Sequence, residues 1–429
     1  MDLKFKKWKD FNNLSVKVSI NKKNYDAILI VDNNRLILKI DMSNNIPEWR
    51  KIDGNYDILS GKFLFENYKI FFINCICTGH SSTINCVDEN IKVATVDFIV
   101  DRLILGKNLL KTSLNKIQRY SASYKNMNLF SIPKSLTSNL KTIDFDSNTH
   151  SHKIETPSYS INMMFYCHNE ESQRSLSIKR LSAVEFNHSK PVNIKKVIEN
   201  IYMFRNFLMI ILKHPIYVEK QTLYINDNSI ELFDCNDNNE LSENSNLEEM
   251  LSHRGLKIEN IDNISDVYNN FINNYKQLCP LLELYYNVTQ FNVPNLTRFI
   301  NSTTMLENYS RNYDFEVSFA LTKSKYPNSQ DVNYADMIIS LITNVNEVFN
   351  YTAEEIKTIA NNIKSARIYY IHYKTRQKSK PLTYDEQFHY SYFIEDIVLL
   401  NIYKLISLDI TKNEYISFNQ FYYDKYDFI

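Results

Sequence analysis

Glycine is scarce in this sequence, because only five of the 429 residues are glycine. These five stand far apart, at Gly54, Gly61, Gly79, Gly106 and Gly255. A loop that wraps a pyrophosphate or a nucleotide γ-phosphate needs closely spaced glycines, which let the backbone approach the ligand. The scarcity therefore argues against Rossmann dehydrogenases, P-loop NTPases and protein kinases.

An excess of charge of either sign is missing as well. The chain has 49 lysines and arginines and 49 aspartates and glutamates, so its formal net charge is zero. Contact with nucleic acid would therefore depend on a local basic patch and not on a globally cationic surface. The apolar fraction of 44% and the charged fraction of 23% are typical of a globular protein. The length predicts two or three domains.

Long apolar runs are also absent from the sequence. The first eight residues are charged and lack the apolar core of a signal peptide. The most apolar helix candidate, residues 197–212, contains Glu199, Arg205 and Asn206, and it is too short and too polar to span a bilayer. We therefore expect a cytoplasmic protein without membrane contact, whose six cysteines are free thiols.

One group of metal-binding residue types occurs in the sequence: Cys75, Cys77, His80 and Cys86. The C-x-C spacing places both thiols on one face of a strand, whereas zinc sites usually use a C-x2–4-C turn. Cysteine inside a strand is mostly a small core residue. We therefore expect no metal and no cofactor.

The N-terminal half has the pattern of short strands. Residues 15–20, 27–31 and 35–40 are β-branched runs separated by Asn, Asp and Lys turns, and this texture continues to about residue 186. Strands at this spacing without long helices between them predict an antiparallel sandwich or barrel. The period changes after Pro191, where apolar residues recur at the helical positions Val197, Ile201, Phe204, Leu208 and Ile211.

The C-terminal part reads as helices after Pro294. Two helix starts carry capping boxes, Thr352 with Glu355 and Thr383 with Glu386. Four helices joined by short loops predict an up-and-down bundle. The predicted class is α+β, with a sandwich-like β-rich domain at residues 1–190, a helical and strand extension with a linker at 191–288, and a helical bundle at 289–429.

The candidate chemistry lies in residues 365–376, where Arg367 precedes His372 by five positions. An arginine can clamp a phosphate through two parallel donors, and a histidine can move a proton near neutral pH. Cleavage of a phosphodiester without a metal needs both phosphate binding and proton transfer. Five residues of helix rotate by about 140°. Either the helix ends before His372, or the two groups line opposite edges of a cleft completed by a second chain.

A basic loop follows this pair. Lys374, Arg376 and Lys378 alternate along it, and Tyr370 and Tyr373 lie beside them. Cations that meet phosphates, together with rings that stack on unpaired bases, are typical of single-stranded RNA binding. The alternative is a solvated surface loop.

The Arg367–His372 pair resembles the R-x4–6-H motif of HEPN domains, and residues 298–311 are similar to the first HEPN helix of ApeA-type bacterial defence proteins. This resemblance implies an endoribonuclease of abortive infection against phage, with tRNA as one candidate substrate. It also implies a homodimer or higher homo-oligomer whose HEPN domains share one cleft. Cleavage would need no metal, and Glu307 would act beside the motif by orienting Arg367.

Two alternatives stay open at this point. Ile368 follows the motif arginine where many HEPN domains have a polar residue, which favours a catalytically inactive dimerisation or scaffold module. The other alternative is a toxin that a separate antitoxin controls. For an active nuclease, we further hypothesise that the N-terminal domain restrains it until a phage-derived trigger is met.

Overall fold

The computed structural model describes residues 7–42, 52, 54–63, 68–85, 90–107, 109–127, 138–139, 142–143, 150–172, 175–226, 228–235, 256–289, 293–372 and 381–410. They belong to two compact units. The first unit takes its described residues from Met1–Lys125, Thr149–Ile201 and Tyr217–Glu243, and the second from Asn126–Asn148, Tyr202–Ile216 and Asn244–Ile429. The domain boundaries after residues 190 and 288 stay a prediction.

The strands fall mainly in the first unit. They are β1 (Leu14–Ile20), β2 (Lys23–Asp32), β3 (Arg35–Asp41), β4 (Tyr56–Phe63), β5 (Tyr68–Asn85), β6 (Asn90–Lys107), β7 (Ile117–Lys125), β8 (Ser138–Asn139), β9 (Thr142–Ile143), β10 (His150–Glu155), β11 (Tyr159–Ser172), β12 (Ser175–Val192), β13 (Tyr217–Ile225) and β14 (Asn228–Asp234). All strands except the β8–β9 pair form one twelve-stranded sheet in the order β10-β11-β12-β7-β13-β14-β6-β3-β2-β1-β4-β5.

The sheet closes on itself at one end. Strand β5 pairs with β4 and also with β6, so six antiparallel strands form a closed ring in the order β6-β3-β2-β1-β4-β5. All six strands contribute to one core, with Val16, Leu29, Leu38, Phe72 and Phe98 fully buried. In β1, exposure alternates along the strand, so its two valines point into this core while Lys17 between them points to solvent.

Asparagine takes over the positions for which glycine is usually chosen. Of the twelve described non-glycine residues with positive φ, nine are asparagine, and no described glycine has a positive φ. The β2–β3 hairpin turns at Asn33 and Asn34, with φ of 46° and 58°. Two-residue hairpin turns of this hand match the twist of the strands, and asparagine tolerates the left-handed region better than most residues. A glycine-poor chain can therefore still form tight hairpins.

The helices are α1 (Ile194–Leu212), α2 (Ile264–Thr289), α3 (Asn295–Tyr309), α4 (Phe315–Lys325), α5 (Tyr334–Asn344), α6 (Asn346–Phe349), α7 (Ala353–His372) and α8 (Tyr384–Leu405). Short 3₁₀ turns occur at Trp8–Phe11, Lys111–Asn115 and Ile258–Asn260, and a π-helical turn occupies Ser310–Asp314. The predicted stripe of α1 is fully buried at Val197, Ile201, Phe204, Leu208 and Ile211. Within the described residues, no helix combines the length and the apolarity needed to cross a membrane.

The helical bundle has four limbs. The first is α3 with α4, the second is α5 with α6, and α7 and α8 are the third and fourth. Both predicted capping boxes form, since Glu355 and Glu386 accept bonds from the backbone N–H of Thr352 and Thr383. Asn401 ties three limbs together, because its Nδ2 donates to the Leu341 carbonyl at 3.1 Å and its own carbonyl accepts from the Tyr309 hydroxyl at 3.0 Å. The predicted α+β class, β-rich first and helical afterwards, is confirmed.

Candidate active site

Helix α7 fixes the position of Arg367. The helix begins at the Thr352–Glu355 capping box and packs one apolar stripe into the bundle, formed by Ile356, Ile359, Ile363 and Ala366. Arg367 directly follows the last residue of this stripe, and its side chain is 22% exposed. A long cationic side chain at the edge of a buried stripe packs its stem and keeps its charged head near solvent. The guanidinium is therefore partly sheltered: its Nε is buried with no hydrogen-bond partner among the described residues, while the side chain as a whole keeps some exposure.

Glu307 on α3 pairs with this guanidinium. The Arg367 Nη2 donates to Glu307 Oε2, and the carboxylate is 23% exposed. The other oxygen, Oε1, accepts two bonds from Arg311, at 3.0 Å from Nε and 2.9 Å from Nη2. One carboxylate thus holds two arginines that lie 56 positions apart in sequence. The three charged groups together carry a net charge of +1.

The ring of Tyr334 lies against Arg367, with the guanidinium carbon 4.2 Å from the ring centroid. The Tyr334 hydroxyl donates to the Thr303 carbonyl at 2.8 Å, which fixes the ring. Burial raises the pKa of Tyr334 well above its usual value, and this effect exceeds the opposing one of the Arg367 charge. The ring therefore stays neutral and offers a π face to the cation. Glu307 and Tyr334 hold Arg367 from two directions.

Arg311 stands in the π-helical turn between α3 and α4. The Ser310 and Ser318 hydroxyls lie 3.0 Å apart, and the Ser318 hydroxyl donates to Asp314 Oδ2 at 2.7 Å. Single π-turns inside helices occur frequently at functional sites. Reasoning from the sequence did not assign Arg311 a role, although its i,i+4 spacing from Glu307 was a usable signal. Tyr334 was missed as well, since only tertiary packing brings it to Arg367.

His372 is the last residue of α7. The alternative in which the helix ends before His372 is therefore wrong, and the two motif residues lie about 140° apart around the helix axis. The side chain of His372 lies outside the described residues, as do Tyr373, Lys374, Arg376 and Lys378. Their roles stay predictions.

Two family models match the chain. The model for ApeA N-terminal domain 1 matches residues 16–275, more than half of the chain, and the model for the Apea-like HEPN domain matches residues 300–412. The chain belongs to the ApeA-like HEPN family. Searches of curated proteins and of solved structures found no match. Glu307, Arg311, Tyr334, Arg367 and His372 all lie inside the HEPN match.

Within the HEPN domain, Tyr370 connects α7 to the start of α8. Its hydroxyl donates to the Leu382 carbonyl at 3.0 Å and accepts from Gln387 Nε2 at 3.0 Å. Its ring meets Phe299 edge-on, with the centroids 6.1 Å apart. The hydroxyl is thus engaged inside the protein, and contact with RNA would use the half-buried ring. That role stays a prediction.

A second ion pair of the HEPN domain lies deeper in the bundle. Arg298 donates to both oxygens of Glu395, at 2.8 and 2.5 Å, and its guanidinium carbon is 3.7 Å from the centroid of the Tyr392 ring. Ser302 donates to the same carboxylate at 3.0 Å. Burial alone would lower the pKa of Arg298, but the Glu395 carboxylate outweighs burial and the pKa is raised. The pair is satisfied internally and joins α3 to α8.

Two of the candidate metal-binding cysteines, Cys75 and Cys77, lie among the described residues. Cys75 is buried in the core, and burial raises the pKa of its thiol to about 12, so the thiol stays protonated. Cys77 is half-buried and Cys86 lies outside the described residues. In the part of the chain that the structure describes, no three His, Cys, Asp or Glu side chains are grouped to hold a metal.

Proposed function

We propose that the chain is a HEPN endoribonuclease that cleaves RNA without a metal and acts in anti-phage abortive infection. The observation that carries this proposal is the ion pair of Arg367 with Glu307. Arg367 lies on the helix that ends at His372, and its guanidinium packs against the ring of Tyr334. An arginine that serves only solubility has no need of a carboxylate and an aromatic ring to fix it. A guanidinium that is already held in place can stabilise the negative charge that develops on a phosphate in the transition state.

In the proposed reaction, His372 acts as general base on the ribose 2′-OH or as acid toward the leaving 5′-oxygen. Arg367 neutralises the charge that builds up on the phosphorane-like transition state, through the planar fork that matches phosphate oxygens. Glu307 orients Arg367 and contributes no proton. The products are a 2′,3′-cyclic phosphate and a 5′-hydroxyl.

The active form is proposed to be a homodimer or higher homo-oligomer formed through the HEPN domain. One helix carries the backbones of Arg367 and His372 about 140° apart around its axis, a separation that a single chain would have to bridge to bring both groups to one phosphate. Two chains facing one cleft resolve this, because the arginine of one and the histidine of the other can then meet the same phosphate. The loop residues Lys374, Arg376 and Lys378, with Tyr370 and Tyr373, would bind the RNA on either side.

The decisive experiment incubates the full chain with total RNA and with tRNA and maps the cut ends, with EDTA present throughout. We expect cleavage that leaves 2′,3′-cyclic phosphate ends, and loss of that cleavage in Arg367→Ala and in His372→Ala. The oligomeric state of both variants should match that of the wild type. Cleavage that persists in both variants would remove the motif from the mechanism.

The scaffold alternative has one supporting feature, the half-buried Ile368 after the motif arginine. It predicts no cleavage and no toxicity on overexpression. The proposed nuclease predicts toxicity that Arg367→Ala removes. A toxin with a separate antitoxin shares that result but adds that co-expression of the antitoxin restores growth.

A further inference from the structure

Glu307 carries two guanidinium groups, and only Arg367 belongs to the proposed motif. Arginine has five N–H donors. Arg311 uses two of them on Glu307 Oε1, and the other three have no partner among the described residues. Its side chain is 49% exposed, against 22% for Arg367. Arg311 is therefore the more accessible of two cations that share one carboxylate.

An exposed Glu–Arg pair at i,i+4 is normally a weak surface contact. Two features separate this pair from that case. The carboxylate is bound on its other oxygen by Arg367, so it cannot neutralise Arg311 fully. The backbone that carries Arg311 is a π-turn, and hydrogen bonds among Ser310, Ser318 and Asp314 hold the side chains around that turn.

We propose that Arg311 is a second phosphate-binding residue of the RNA site, contacting the backbone phosphate next to the one that Arg367 attends. This inference rests on the proposed ribonuclease function and deepens it. Arg311, Glu307 and Arg367 together carry one positive charge, which attracts the negatively charged phosphate backbone. Because Arg311 reads only a phosphate, it adds affinity without sequence preference.

The test measures binding of the full chain to a single-stranded 2′-O-methyl RNA, which has no free 2′-OH and cannot be cleaved by this chemistry. Affinity is measured over a series of salt concentrations for the wild type, Arg311→Gln and Arg311→Lys. In Arg311→Gln we expect Kd to rise roughly tenfold and the slope of log K against log salt to become shallower by about 0.7, the value for one phosphate contact on a single strand. Arg311→Lys keeps the charge and should keep the slope.

Lys357→Gln is the matched control. Lys357 lies on the same helix as Arg367, its side chain is 62% exposed, and it is paired only loosely, at 3.9 Å, with Glu354. The substitution removes one positive charge from the same unit, so general electrostatics would shift its slope as well. We expect its affinity and slope to equal those of the wild type. Melting curves of all variants check that each is folded.

Glu307→Gln should change the RNA affinity in the opposite direction to Arg311→Gln. Removing the carboxylate takes away a negative charge that would lie close to the RNA backbone, so binding should tighten. Cleavage of unmodified RNA should slow, because Arg367 loses its orienting partner.

Wild-type affinity and slope in Arg311→Gln would overturn the inference. A fall in kcat of Arg311→Gln with unchanged binding would also overturn it, because Arg311 would then be a positioning residue. In both cases the nuclease proposal would stand. A wild-type chain that neither binds nor cleaves RNA would defeat both.

Discussion

At the scale of single residues, Arg367 depends on the ring beneath it. Tyr334 Oη is bonded to the Thr303 carbonyl, so the ring is fixed by the first bundle helix and offers its face to the guanidinium. A cation over an aromatic face is stabilised by about 0.5–2 kcal/mol, depending on how far it is desolvated. The ring and the hydroxyl thus have separable functions: the ring positions the cation, and the hydroxyl positions the ring.

We predict that Tyr334→Phe and Tyr334→Leu separate these functions. Phenylalanine keeps the ring but loses the bond to Thr303, which should lower the free energy of unfolding by about 1 kcal/mol and leave kcat nearly unchanged. Leucine removes the π face, so kcat for RNA cleavage should fall roughly tenfold. Single-turnover cleavage rates and urea unfolding measure both effects. Equal kcat values in the two variants would show that the ring contributes nothing to the reaction.

The sequence was sufficient to propose Glu307 and Arg367 as partners, through the resemblance of their motif to HEPN domains, and the two side chains form an ion pair in the structure. It was not sufficient for Tyr334, which precedes Arg367 by 33 positions and reaches it only through packing of α5 against α7. Arg311 lies four positions after Glu307, a spacing that indicates this pair, but the bridge from Arg311 through Glu307 to Arg367 depends on tertiary packing. Contacts that depend on tertiary packing leave no periodic signal in sequence.

At the scale of elements, the hairpins show how a chain with five glycines turns. The β1–β2 hairpin has two central residues, Asn21 and Lys22, with φ of 50° and 67°. Lysine carries a Cβ that the left-handed region disfavours by about 1–2 kcal/mol. Asn-Gly is the preferred pair for this turn. Lys22 is therefore a strained position in a turn that otherwise fits its geometry.

We predict that Lys22→Gly raises the free energy of unfolding of the β-rich unit by about 0.5 kcal/mol, because relief of strain exceeds the extra entropy that glycine gives the unfolded chain. Lys23→Gly is the control. Lys23 is the first residue of β2 and is exposed, so glycine there should destabilise by about 0.5–1 kcal/mol. Chemical denaturation with tryptophan fluorescence measures both, and a destabilised Lys22→Gly variant would contradict the strain argument.

Helices and strands could be predicted from the sequence where the spacing of apolar residues was regular, but the pairing of the strands could not. The buried stripe of α1 and both capping boxes follow from local spacing, which is why they were predicted correctly. The closed ring depends on β3 pairing with β6 and on β1 pairing with β4, and strand pairing across such sequence distances has no local signature. The π-turn likewise gives no warning, since Ser310–Asp314 reads as ordinary helix.

At the scale of the whole molecule, α1 is shared between the two compact units. Residues 194–201 belong to the β-rich unit and 202–212 to the helical unit. The helical unit holds its end of α1 firmly, because the Tyr403 hydroxyl donates to the Ile210 carbonyl at 2.5 Å and Lys213 pairs with Asp396 at 2.6 Å. A fragment that begins at residue 289 would lose these contacts. A boundary near residue 190 keeps them.

The proposed restraint of the nuclease by the N-terminal domain is therefore tested best with residues 191–429, which retain α1 and α2. If the β-rich domain keeps the active site closed, this fragment should be more toxic than the full chain when both are expressed at equal levels. Toxicity that comes from misfolding would not depend on the active site, so the same fragment with Arg367→Ala is the control. We expect the substitution to restore growth. Equal toxicity of fragment and full chain would refute restraint, and toxicity that survives Arg367→Ala would trace the effect to the truncated fold instead of to RNA cleavage.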